Sequence, residues 1–99
     1  MKTALKVTVI ARFRVVAGGE EHAKRAAAAV IEATRLEEGC LNYDLHQSAT
    51  DPCDFMFHEN WSSRADLDRH SSSAHVAAWR EAVGTVLDGQ FDITLWHEL

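Results

Sequence analysis

Two residues stand out as acid–base candidates, Glu59 and His70, one for its surroundings and the other for its chemistry. Glu59 falls on the same side of an extended segment as Phe55, Phe57 and Trp61. A carboxylate among aromatics is disfavoured when charged, so its pKa rises and it can shuttle a proton. The same position also suits a structural ion pair, with Arg12 or Arg35 as the partner. His70 lies on the same side of a short helical stretch as Leu67, and an ordinary imidazole pKa near 6.5 suits a general base at neutral pH. It is the first choice as base, against the plainer reading of a helix cap or a satisfied surface residue. Tyr43, Phe57, Trp61 and Trp79 could wall a pocket for a flat substrate, with Tyr43 able to donate a hydrogen bond, although aromatics at such spacings also build plain core.

The remaining reactive side chains are less pointed. His75 follows the break Ser71-Ser72-Ser73, which leaves its direction open. His46 alternates away from Tyr43 unless a bulge intervenes, and is expected on the opposite sheet face. Six histidines in 99 residues raise the question of a metal. None shows a His-x-x-x-His spacing, and the step from His70 to His75 would place them on different helix faces, so no metal site is expected. Cys40 and Cys53 bracket a hairpin, about 26 Å apart along its extended chain. That is far beyond disulfide reach, so free, inert thiols and a reducing, cytoplasmic setting follow.

These side chains need elements to carry them. Residues 5 to 15 alternate Val7, Val9, Ala11, Phe13 and Val15 against Thr8, Ile10, Arg12 and Arg14, which is a strand. From Glu20 to Glu37, Ala23, Ala26, Ala27, Val30 and Ile31 recur at helical spacing, and Gly39 is placed to stop the helix. Residues 40–48 and 54–61 read as a hairpin, with Leu41, Tyr43 and Leu45 sharing a face. Ser63 and Asp66 form a capping pair for a short helix, a second helix runs from Ala74 to Leu87, and Phe91, Ile93, Leu95 and His97 alternate as a last strand. The order β-α-β-β-α-β predicts one α+β domain over residues 1–99, a ferredoxin-like antiparallel four-stranded sheet with helices on one face. The bare face carries Ile10, Met56 and Trp96, too apolar for a wet surface, and predicts a homodimer.

Hydrophobic residues make up 46% of the chain, enough for one core, and the net charge of −5 is spread without a basic cluster, which argues against nucleic acid. Residues 1–6 lack the apolar run of a signal peptide, and no stretch approaches membrane-spanning length, so neither export nor membrane is expected.

Glu38-Gly39-Cys40-Leu41-Asn42-Tyr43, then Glu59-x-Trp61 within the segment from Phe55, then Leu67-x-x-His70-x-x-Ser73-x-His75 together resemble the antibiotic biosynthesis monooxygenase family. The likeness spans nearly the whole chain in order and spacing. It implies a dimeric α+β barrel with a pocket between sheet and helices. It also implies oxidation of a quinol or anthrone-like polyphenol by molecular oxygen, with no metal, flavin or other cofactor. Triplet oxygen reacts sluggishly with closed-shell organics, so such an enzyme must make the substrate an electron-rich anion, which needs a base, an apolar wall and donors for the developing oxyanion. Three other readings compete. Haem-degrading superfamily members resemble this chain at Trp61 and His70 but carry an Asn in the first strand, absent from residues 5–15. A sugar-phosphate isomerase of the autoinducer type would need more basic residues near the pocket, and a non-catalytic dimeric binding module would need none of the acid–base groups.

Overall fold

The computed structural model describes residues 5–99, so the segment 1–4, part of the stretch read above for an export leader, lies outside the described residues. Strands β1 (Val7–Arg14), β2 (Cys40–Gln47), β3 (Asp54–Trp61) and β4 (Asp92–Trp96) form one sheet in the order β2-β3-β1-β4, every pairing antiparallel. Helices α1 (Glu20–Arg35), α2 (Arg64–Ser71) and α3 (Ala74–Gly84) carry the connections. Their buried residues, Ala23, Ala27 and Val30 of α1, Leu67 of α2, and Val76, Trp79 and Val83 of α3, join one core with the inward row of the sheet. This is the ferredoxin-like α+β arrangement, with the helices on one face and the sheet's other face uncovered. No helix among the described residues is long and apolar enough to cross a membrane.

The period-two alternation of β1 and β3 decides what faces the helices. Val7, Val9, Ala11 and Phe13 point inward, and cross-strand register sets Phe57 beside Ala11 and Glu59 beside Val9. Phe13, Phe55, Phe57, Trp79 and Phe91 pack ring to ring at centroid separations of 5.3–6.3 Å. Such pairs stabilise by about 0.5–1.5 kcal/mol each beyond the area they bury.

Three local features differ from the periodic expectation. A bulge between Cys40 and Asn42 turns Leu41 outward, 57% exposed, while Cys40 packs against the core beside Tyr43 and Leu45. The extra residue in one strand shifts the face of everything before it. Helix α3 ends at Gly84, and Leu87 instead makes an isolated bridge to Val15. Ile93 and Leu95 do lie on the helix side, opposite Ala11 and Val9, yet they are 45% and 41% exposed because β4 is an edge strand that the helices do not cover.

The break between α2 and α3 is held by serine hydroxyls. Ser73 caps α3 by accepting from the Val76 N–H and donates to the His70 carbonyl at 2.6 Å. Ser63 caps α2 from the Asp66 N–H, as its spacing predicts. Both cysteines are free.

Candidate active site

Between the sheet and α2–α3 lies a cavity of about 60 Å³, lined among others by Tyr43, Phe57, Glu59, His70, Trp79 and Ile93. The space is small and only partly enclosed. The apolar strip of Ile93 and Leu95 continues the lining outward along β4. Arg80 is the cation that lines the cavity among the described residues.

Glu59 is carried into this space by the inward row of β3, opposite Val9 on one side and Tyr43 on the other, and is 4% exposed. Burial pushes its pKa up to about 7, the Glu37 charge adds to the rise, and a hydrogen bond donated by Trp61 Nε1 to Glu59 Oε1 at 2.9 Å holds it back in part. Neither arginine weighed as its partner reaches it. Arg12 pairs with Asp54 at 2.8 Å and Arg35 with Asp44 at 2.9 Å. A carboxyl poised near neutrality that forms no ion pair among the described residues is suited to exchanging a proton.

His70 ends α2 with its ring packed against Trp61, at a centroid distance of 4.6 Å, and edge-on to Tyr43 at 5.3 Å. Its Nδ1 faces Glu37 Oε1 at 3.1 Å, and a carboxylate there accepts, so Nδ1 carries the proton. The lone pair of the neutral ring is then on Nε2. Burial lowers the imidazole pKa, with Glu37 opposing the shift, so the ring is neutral and able to accept a proton at neutral pH. A carboxylate paired with a histidine in this way fixes the tautomer and stabilises the imidazolium whenever the ring takes up a proton.

Glu37 is the residue that periodicity alone does not reveal. It sits just beyond α1, where the helix dipole disfavours a carboxylate, and that misplacement is the one signal in the sequence. The turn carrying it is fixed by Gly39 at φ +85°, whose backbone oxygen accepts from the Ser62 N–H at 2.9 Å. His75, on the first turn of α3, also donates from Nε2 to Glu37 Oε1. The expectation that His70 and His75 point apart is therefore corrected: they belong to two helices whose break swings both toward one carboxylate.

The remaining candidates divide between wall and support. Tyr43, Phe57 and Trp79 line the cavity, and burial together with the Glu59 charge drives the Tyr43 pKa upward, which keeps its phenol protonated and able to donate. Trp61 is fully buried and does not line the cavity; it lies behind Glu59 and His70 and holds both. His46 is exposed on the outer sheet face beside Ile10 and Met56. Burial raises the Cys40 thiol to about 11, so it stays protonated.

The chain is similar to Rv0793 of Mycobacterium tuberculosis, provisionally named a monooxygenase, at 36% identity over 89 residues, covering 90% of this chain and 87% of that one. The solved structure of Rv0793 superposes with a TM-score of 0.87 over 95% of both chains at 34% identity. PA3566 from Pseudomonas aeruginosa matches at a TM-score of 0.90 and 29% identity, covering 100% of this chain and 99% of its own. Residues 6–82, which hold the strand of Glu59, the helix of His70 and the turn of Glu37, match the family model for antibiotic biosynthesis monooxygenase, and the chain belongs to that family.

Proposed function

We propose that this protein is a cofactor-independent monooxygenase that oxidises a quinol or anthrone-like polyphenol with molecular oxygen. The observation that carries this reading is His70, neutral and held by Glu37 through Nδ1, in an apolar cavity beside a second proton acceptor, Glu59. The substrate's reacting edge enters the cavity, with its remaining rings against Ile93 and Leu95 at the mouth. His70 Nε2 takes a phenolic proton, and the phenolate is stabilised by Arg80 and the Tyr43 hydroxyl. The electron-rich anion passes an electron to oxygen, the two radicals combine at a ring carbon that bears a hydrogen, and the imidazolium of His70 returns its proton to the peroxide anion to give a hydroperoxide. Loss of water from it leaves a carbonyl there. One oxygen atom ends in product and the other in water, with the substrate as sole reductant. Glu59, titrating near neutrality, relays the proton that the departing water requires.

The active unit is a homodimer in the cytoplasm. A second copy covers the outer sheet face, where Ile10 and Met56 line a shallow groove and Trp96 stands 58% exposed. Oxygen uptake tests the reaction: the protein, stripped of metal and flavin, is mixed with a panel of hydroquinones and anthrones in an electrode cell. Uptake well above buffer with at least one member supports the reading. A trace no faster than buffer across the panel would overturn it.

A further inference from the structure

One oxygen of Glu37 faces two imidazole nitrogens, Nδ1 of His70 and Nε2 of His75. The three potential ligand atoms all lie within 4.8 Å of one another. Ligands bound to a divalent transition ion at about 2.0–2.2 Å stand roughly 3 to 4 Å apart, so small side-chain rotations bring all three onto one ion. Two imidazoles and one carboxylate suit a borderline cation of the Zn²⁺ or Co²⁺ kind, whereas Mg²⁺ and Ca²⁺ favour oxygen donors.

Backbone on both sides holds the trio. Glu37 is on the turn that Gly39 fixes against α2, and His70 and His75 flank the break tied by Ser73. An entry path exists as well. The His75 side chain is 27% exposed and lines a groove of about 240 Å³ between α1 and α3, where Ala26, Ala29 and Ala78 leave the way open. His70, on the other side of the trio, lines the cavity.

We propose that Glu37, His70 and His75 bind one divalent cation of the Zn²⁺ or Co²⁺ class, entering from the α1–α3 groove, with water in the remaining coordination positions. An ion on His70 Nδ1 leaves that ring's proton on Nε2, the nitrogen assigned above as the base. A bound ion therefore switches the reaction off; this consequence rests on the proposed function, whereas the binding does not.

Titration of substrate-free protein with Co²⁺, followed by its visible d–d absorption, tests the site. One saturable equivalent per chain, displaced by Zn²⁺, is expected. His75→Ala and Glu37→Gln should each weaken it by at least about tenfold, since even loss of an outer-shell partner typically costs 10–100-fold in metal affinity. His46→Ala, on the far face of the sheet, should leave it unchanged. The unsubstituted protein gives a second measurement independent of folding defects: Zn²⁺ should move the ring resonances of His70 and His75 in NMR spectra while those of His22, His46, His58 and His97 stay in place. Absence of saturable uptake, uptake that survives both substitutions, or shifts confined to the other histidines would overturn the proposal and leave a hydrogen-bonded trio only. Neither measurement uses substrate, so each can fail or succeed whatever the oxygen-uptake panel shows.

Discussion

Replacing Glu59 by Gln should remove a pH dependence of stability that runs opposite to that of a paired surface carboxylate. Burial lifts the folded-state pKa from the ordinary 4.5 to about 7, so the folded chain binds the proton more tightly than the unfolded one. The stabilisation linked to that proton is complete below pH 4.5 and is lost as pH rises through 7. At 1.36 kcal/mol per pKa unit, the whole shift corresponds to about 3 kcal/mol, of which roughly 2 to 3 falls between about pH 5 and about pH 8. In Glu59→Gln the amide oxygen can still accept from Trp61 Nε1 but the side chain cannot ionise, so the variant should lose this slope while keeping the contact. Urea unfolding of both proteins at the two pH values separates the effect from histidine titration, which the two share. The unsubstituted protein should lose about 2 kcal/mol more than the variant on going to the higher pH. Equal losses in the two proteins would refute the reasoning and mean that Glu59 is solvated or paired in solution.

Gly39→Ala should cost about 2 kcal/mol or more, because the residue sits at φ +85° and a Cβ there would lie 2.2 Å from Asp66 Cγ, whose carboxylate is pinned by the Ser62 and Ser63 hydroxyls. Urea or thermal unfolding reads it, and a loss below about half a kcal/mol would mean the turn moves freely. Phe57→Leu, a volume-tolerant swap in the aromatic core, should cost only about 1 kcal/mol in the same assay, and a much larger loss would show that ring packing is more exacting than area alone. Light scattering at micromolar concentration should return the mass of two chains, and Trp96→Lys should shift it toward one; a monomeric mass for the unsubstituted protein would remove the dimer from the account.

Much of the frame was legible because period-two and helical spacing are written directly into the side chains. Val7 to Phe13 and Phe55 to Trp61 declare inward rows, and that alternation alone places Phe57 and Glu59 beside the helices. The alanines of α1 and the serines before α2 and α3 mark helix face and helix starts in the same way. What differed has two physical origins, a local departure from period and a place at the sheet edge. A bulge near Leu41 inverts its face, and the edge position of β4 leaves Ile93 and Leu95 half exposed although their alternation is right. The site was half legible. His70 and Glu59 follow from periodicity, but the meeting of Glu37 with His70 and His75 depends on a helix end, a left-handed glycine and a helix break, none of which has a periodic signature.

The most direct test of the account is the turnover of His70→Ala against the unsubstituted protein, measured as initial oxygen uptake with the best quinol or anthrone of the panel at saturating concentration. A general base typically contributes 10²- to 10⁴-fold, so kcat should fall by about that factor while circular dichroism shows the fold intact. Undiminished kcat in a folded His70→Ala protein would contradict the assignment of His70 as the base.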